Sequence, residues 1–206
     1  GTFHPGDAPG REVGAPLRVL SVGRLIPRKR MDVLIRAAAL LPPGSVELTI
    51  AGDGPERGAL EGLVAELGLK DRVRLTGRLE HDRLPALYRE HDLFAMVSLN
   101  EGMSNTVLEA LASGLPVVLS DTGGTAELLE PGGNGLLLER ADAECVADAL
   151  RVYTERPDLI AEHGRRSRHR AEAMSWTATA SAYAGLYRRI LEREESPRET
   201  GKRPPA

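Results

Sequence analysis

From Leu17 to Ala51 the chain reads L-R-V-L-S-V-G-R-L-I-P-R-K-R-M-D-V-L-I-R-A-A-A-L-L-P-P-G-S-V-E-L-T-I-A. R-V-L-S-V (18–22) and V-E-L-T-I-A (46–51) are short runs rich in β-branched and aliphatic residues, the composition of strands. Between them M-D-V-L-I-R-A-A-A-L-L, residues 31–41, has the apolar spacing of an amphipathic helix. The alternation continues along the chain. R-V-R-L-T (72–76), L-F-A-M-V-S (93–98), P-V-V-L-S (116–120) and G-L-L-L-E (135–139) are further strand candidates, and E-R-G-A-L-E-G-L-V-A-E-L-G (56–68) is a further helix. Near-continuous apolar strands alternating with helices predict an α/β fold: a Rossmann-like, doubly wound parallel sheet of about six strands, covered on both faces.

Such sheets bind ligands at the carboxyl ends of their strands, and the polar motifs fall there. Gly23-Arg24 follows the first strand, Gly52-Asp53-Gly54 the second, Gly77-Arg78 the third and Glu101 the fourth. After the fourth strand the chain reads E-G-M-S-N-T-V-L-E-A-L-A-S-G-L-P-V-V, with carboxylates at Glu101 and Glu109. Capping and small residues lead into an apolar run, so a helix is expected to start near Ser104 to Thr106. Its free N–H groups would favour an anion such as phosphate. From Ser104 to Glu109 the helix rises roughly 7.5 Å, about the span from a diphosphate to its ribose. Amides for phosphates, one carboxylate for ribose hydroxyls and the other for a sugar suit a sugar nucleotide. The competing reading is a capping box between Thr106 and Glu109, with Glu101 a solvated loop acid.

A second motif bears on the choice. G-R-L-I-P-R-K-R, Gly23 to Arg30, offers a glycine for close approach, the planar fork of Arg24 and the point charge of Lys29. Taken alone it is a solvated basic turn. Together, G-R-L-x-x-x-K and E-x7-E resemble the motifs of the family-4 retaining glycosyltransferases, which have the GT-B fold. Gly102 after the first Glu and L-E-A-L-A-S-G-L-P-V-V at the end match the flanking pattern too.

That resemblance implies that Arg24 and Lys29 clamp the donor diphosphate and neutralise charge on the leaving group. It implies that Glu101 orients the transferred sugar and Glu109 the ribose. The implied catalytic set is Arg24, Lys29 and Glu101. The implied donor-binding set is Gly23, Gly77, Arg78, Gly102, Met103, Ser104, Asn105, Thr106 and Glu109. Arg28 and Arg30 depart from the acidic and small residues common there and receive no direct role. Gly52-Asp53-Gly54-Pro55 resembles the family's turn after the second strand, its glycines structural and Asp53 a turn or cap residue. Gly77-Arg78 matches the loop that runs past the nucleobase, where Arg78 either stacks on the base or lies exposed. S-D-T-G-G-T-A-E-L-L, residues 120–129, resembles the family's glycine pair, so Gly123 and Gly124 are expected to bring backbone close to the donor.

Composition narrows the classes. A net charge of −3 argues against a general nucleic-acid surface. The single cysteine, Cys145, excludes an internal disulfide framework and reads as a small helix residue. No apolar run approaches the ~18–20 residues of a membrane span, and the polar start is no signal peptide. The dinucleotide fingerprint G-x-G-x-x-G does not appear in the first turn, against a nicotinamide oxidoreductase. No H-x-x-x-H or Asp-x-Asp signature calls for a metal. No cofactor is therefore obligatory, and positive side chains with helix amides would do a cation's work.

Residues 1–16, with four Gly and three Pro, read as an interdomain linker remnant. Residues 17–174 read as the nucleotide-sugar-binding domain. Helices are expected from about Ala143 to Thr154, from about Pro157 to Ala173, and from a cap at Ser175. On the last, 175–192, Trp176, Tyr183, Leu186, Tyr187 and Ile190 form an apolar stripe expected to pack on the rest of the protein, toward an absent N-terminal domain. The charged tail, 193–206, is expected to be disordered.

The resemblance covers about Thr2 to Ile190 and matches only the C-terminal, donor-binding half of a GT-B enzyme. The chain is therefore expected to be that half, inactive in transfer by itself. The implied donor is a nucleoside-diphosphate sugar, a UDP-sugar ahead of a GDP-sugar. The implied acceptor is a sugar, lipid or natural-product hydroxyl held by the missing half. The expected location is cytoplasmic, compatible with the inner face of a membrane reached through the missing half. Two alternatives stay open: a GT-B-like sugar-nucleotide epimerase, and a stand-alone sugar-nucleotide-binding module that pairs with a separate chain.

Overall fold

A computed structural model describes residues 2–6 and 14–195. At its centre lies a six-stranded sheet in the order β3-β2-β1-β4-β5-β6. The strands are β1 (Leu17–Val22), β2 (Val46–Ala51), β3 (Val73–Gly77), β4 (Leu93–Met96), β5 (Val117–Ser120) and β6 (Gly135–Leu138). Every pairing is parallel, with Leu17 opposite Val46 in β1–β2 and Val19 opposite Leu93 in β1–β4. Strand order reverses between β1 and β4, which opens a crevice outside their carboxyl ends.

Side-chain alternation explains why the strands read as continuous apolar runs. Leu17, Val19, Leu48, Ile50, Leu93, Ala95 and Val118 share one core with residues of α1 (Met31–Ala39), α2 (Arg57–Glu66) and α6 (Ala143–Glu155). Leu20, Phe94, Val117 and Leu119, on the opposite parity, are buried as well. There the Tyr88 ring lies 5.9 Å from Phe94. Tyr88 belongs to α3 (Leu84–Arg89), which packs beside α4 (Asn105–Ala112). Each fully buried Leu or Ile contributes roughly 1.5–3 kcal/mol, so both faces help hold the sheet between its helices.

α5 (Thr125–Leu128) is one turn, and α7 (Asp158–Ala173) follows α6. α6 starts where expected, because Asp142 accepts a hydrogen bond from the Cys145 amide at 2.9 Å. Residues 2–6 are seated on the domain: Phe3 packs edge-on against His81 and Tyr88, and Arg168 Nη1 donates to the Phe3 carbonyl at 3.2 Å. The remainder of the proposed linker, Gly1 and 7–13, lies outside the described residues, as does the tail beyond residue 195.

The chain divides into two compact units, Gly1–Ala171 and Glu172–Ala206. In the second, α8 (Trp176–Glu195) begins after Ser175, whose Oγ accepts from the Ala178 amide at 3.2 Å. Tyr183, Leu186, Tyr187 and Ile190 are exposed, Tyr187 at 63%. The Trp176 side chain lies outside the described residues. No helix among the described residues is long and apolar enough to cross a membrane.

Candidate active site

Three loops at the carboxyl ends of β1, β2 and β3 are stitched by backbone hydrogen bonds. The Gly23 amide donates to Ala51 at 3.0 Å, Leu25 to Asp53 at 3.0 Å and Gly52 to Gly77 at 2.9 Å. Gly52 is required: its φ is +151°, and a Cβ there would lie 1.8 Å from the Gly23 carbonyl oxygen. The result is a cleft of about 320 Å³ whose lining includes Gly23, Arg24, Asp53, Arg78, Leu79 and Leu84. Arg24 and Arg78 are exposed, whereas Gly77 is buried, its carbonyl taken by Gly52. Asp53 accepts a hydrogen bond from the Gly54 amide at 2.8 Å, the turn role expected of it, while also lining the cleft.

Across the strand reversal, the Leu99 amide donates to the Arg28 carbonyl at 2.9 Å. This joins the loop after β4 to the 3-10 turn Pro27–Lys29. Arg30 then turns the chain into α1 in the left-handed region, φ 46° and ψ 40°. The consequence is a meeting of the two sequence motifs. Lys29 Nζ lies 2.7 Å from Glu101 Oε1, with side chains only 11% and 13% exposed. Oε1 is buried and receives no well-aligned hydrogen bond, so the contact holds by charge and proximity.

The Glu101–Met103 loop is seated from behind by Gly124. Its amide donates to the Glu101 carbonyl at 3.2 Å, and a Cβ on it would lie 2.4 Å from the Gly102 oxygen. Gly124 thus serves loop packing. Gly102 and Met103 are exposed ahead of α4, Ser104 is buried at its N-cap, and Asn105, its first residue, is exposed. No side chain caps this helix: Ser104 Oγ bonds Thr106 Oγ1 at 3.0 Å instead. Thr106 lies inside the first turn, so the Thr106–Glu109 capping box does not form. The first-turn amides of α4 therefore keep their partial positive charge for an anion.

Glu109 sits one turn deeper. Tyr88 Oη lies 3.0 Å from Glu109 Oε2 and 3.0 Å from the Thr106 carbonyl. Burial pushes the Glu109 carboxyl above the ordinary carboxylate range, opposed by the Tyr88 hydrogen bond and by His81. Burial, reinforced by the Glu109 charge, holds the Tyr88 hydroxyl far above the ordinary phenol range. Glu109 does not line the cleft of Arg24 and Arg78. Sequence reasoning missed Leu79, Leu84 and Tyr88. The signal for Tyr88 was L-P-A-L-Y-R, whose early Pro suits the start of a short helix.

A separate cleft of about 420 Å³ opens at the amino ends of the strands, lined by Arg18, Asp92, Gly114 and Arg168 among others. There Asp92 takes two guanidinium bonds, at 2.7 and 3.1 Å, and the backbone amide of Arg18 at 2.9 Å. Lying at the other end of the sheet, it is remote from both motifs.

Comparison with known proteins fits this geometry. The family described as "Glycosyl transferases group 1" matches residues 8–171. The chain belongs to this family. It is 34% identical over 206 aligned residues to D-inositol 3-phosphate glycosyltransferase 2 of Catenulispora acidiphila, covering 92% of this chain and 48% of that protein. This group 1 glycosyltransferase chain thus spans about half the length of the curated relatives it matches. Sucrose-phosphate synthase from Thermosynechococcus elongatus superposes with a TM-score of 0.79 at 30% identity, covering 93% of this chain and 50% of the other. HepE of Anabaena, solved in complex with UDP, gives a TM-score of 0.75 at 28% identity, covering 85% and 50%. The α/β sheet with flanking helices is the Rossmann-like fold of GT-B C-terminal domains.

Proposed function

We propose that this chain is the donor-binding, C-terminal half of a family-4 retaining glycosyltransferase. It moves a hexosyl group from a nucleoside-diphosphate sugar to a hydroxyl of a sugar, lipid or natural product held by a second half. The carrying observation is the Lys29–Glu101 pair at the strand reversal, directly ahead of the uncapped amino end of α4. Cationic, anionic and amide groups meet where this fold class binds ligands. A UDP-sugar is the favoured donor; the HepE relative has been solved with UDP and with UDP-glucose.

In this reading the exposed Arg24 fork and the Lys29 ammonium contact the diphosphate, together with the α4 amides. As the bond to the anomeric carbon breaks, charge grows on the departing phosphate. Donors already aimed there stabilise that charge more than the ground state, which is the source of rate. Glu101 accepts hydrogen bonds from the sugar hydroxyls, and Glu109 from the ribose. The acceptor hydroxyl attacks from the face that the diphosphate leaves, and its proton passes to that phosphate. The anomeric configuration is retained, and no protein nucleophile is needed.

The test is calorimetric titration of the 206-residue chain with UDP-glucose, UDP and GDP-sugars, alongside an assay of transfer to simple sugar acceptors. Binding without transfer is expected, because the second substrate is neither held nor oriented. Absence of binding to every nucleoside-diphosphate sugar would sink the donor-half reading, and robust turnover by this chain would sink the claim of inactivity.

A further inference from the structure

Tyr88 is fully buried, yet its hydroxyl is directed at the candidate site. It stands 3.0 Å from the Thr106 carbonyl and 3.0 Å from Glu109 Oε2, acceptors a turn apart on α4. A phenol carries one hydrogen, so that donor is shared between a backbone carbonyl and a carboxylate. The ring is held on two sides. Phe94 lies 5.9 Å away in a tilted contact, and Phe3 meets it edge-on at 5.6 Å. Phe3 in turn packs on His81 at 5.6 Å, and its carbonyl accepts from Arg168. A hydroxyl on a ring so fixed sets where the more flexible glutamate comes to rest. Tyr88 and His81 are the titratable groups that face the Glu109 carboxyl. Tyr88 engages only Oε2, and Oε1 makes no hydrogen bond among the described residues.

We propose that Tyr88 is a positioning residue for donor binding. Its hydroxyl fixes the Glu109 side chain so that the other carboxylate oxygen accepts from the ribose hydroxyls, with Phe3 bracing the ring. The proposal rests on the ribose role of Glu109 given above. It adds that the short segment ahead of β1 reaches the nucleotide site through one aromatic side chain. The shared Thr106 carbonyl makes the hydroxyl a clip on the first turn of α4. One contact thereby holds the ribose carboxylate in register with the amides offered to phosphate.

Isothermal titration of the 206-residue chain with UDP and with 2′,3′-dideoxy-UDP separates the possibilities. The wild type should prefer UDP about tenfold or more, and Glu109→Gln should remove most of that preference. Tyr88→Phe keeps the ring and should weaken UDP about three- to tenfold while leaving the dideoxy ligand within about twofold. Combined with Glu109→Gln it should add nothing further. Phe3→Ala, near the surface, should give a smaller loss with the same ribose dependence, and it serves where Tyr88→Phe does not fold. A general structural role would weaken both ligands alike. If wild type and Glu109→Gln behave as described but neither aromatic variant shows a ribose-dependent loss, the positioning role is overturned and the ribose role stands. If the wild type does not distinguish the two ligands, the ribose role itself fails and the proposal falls with it.

Discussion

Replacing Glu101 with glutamine should tighten the binding of free UDP while erasing much of the preference for UDP-sugar over UDP. In the ligand-free protein Lys29 is committed to Glu101 at 2.7 Å, both side chains nearly nine-tenths enclosed. With an effective dielectric of about 20, two unit charges at that separation attract by roughly 6 kcal/mol. Desolvation offsets most of this, leaving a small net attraction. A diphosphate approaching Lys29 has to share it with that carboxylate and tolerate its negative charge. Glutamine keeps the shape, removes the charge and frees the ammonium. We expect UDP to gain about 1–2 kcal/mol, or roughly five- to thirtyfold in affinity. A UDP-sugar should gain little or nothing, since its sugar hydroxyls lose a charged acceptor worth about 1.5–3 kcal/mol. The assay is calorimetric titration with both ligands at low and moderate salt; screening should change the ratio little, because the pair is enclosed. Lys29→Met supplies the converse limb, stranding the carboxylate. It should cost about 2–3 kcal/mol in urea denaturation, between the exposed and the buried extremes. UDP affinity unchanged in Glu101→Gln would refute the idea that the carboxylate holds the lysine back.

Arg24→Ala, at an exposed loop position, should leave the denaturation midpoint unchanged and weaken UDP about tenfold or more, with little effect on uridine. Arg24→Lys should restore only part of the loss, because the charge returns without the planar fork; equal losses for UDP and uridine would remove its phosphate role. Glu109→Gln should stabilise the ligand-free protein at neutral pH. Burial raises the Glu109 carboxyl, so the native state binds its proton more readily than the unfolded chain. That contribution is present in full below the ordinary carboxylate pKa and is lost as pH rises through the raised value. Denaturation at about pH 4 and pH 7 should therefore show a fall in the wild type that the variant lacks. Because the carboxyl is partly solvated, the difference should be below about 1 kcal/mol.

How much of this was legible without the fold follows from what each feature depends on. The six strands were readable because both sheet faces are largely buried, so their runs are mostly apolar, with few polar interruptions such as Glu47 and Arg74. The Lys29–Glu101 contact was not. Each motif could be placed at a strand end, but their meeting requires β4 to lie beside β1, a property of strand order alone. The T-x-x-E pattern at Thr106 allowed two helix starts. The loop after β4, tied to Arg28 and backed by Gly124, selects Ser104 as the N-cap and defeats the capping box. Tyr88 escaped notice because L-P-A-L-Y-R spans under two turns, too short for periodicity, and a tyrosine there reads as core. Along α8 the periodicity revealed an apolar face, but spacing does not encode what covers it.

The two ends of the sheet give a separate reason to place the site at the strand reversal, independent of any motif. At the amino ends, Asp92 receives two guanidinium bonds and a backbone amide from Arg18, a charge well matched to its donors. The carboxyl ends are arranged otherwise. Arg30 holds a left-handed conformation, the one non-glycine residue with positive φ among those described. α4 begins without a side-chain cap, and burial works against the charge on Glu109. Each departure costs on the order of a kcal/mol, and nothing in the core requires them to occur together. A polyanion with hydroxyl groups would satisfy most of them: phosphate oxygens for the helix amides, and hydroxyl donors for Glu101 and Glu109. Local conflicts gathered at a ligand-sized crevice are what a fold shows when the ligand supplies the missing partners. On the proposed reading a sugar diphosphate would supply those partners, and its binding should raise the denaturation midpoint by mass action.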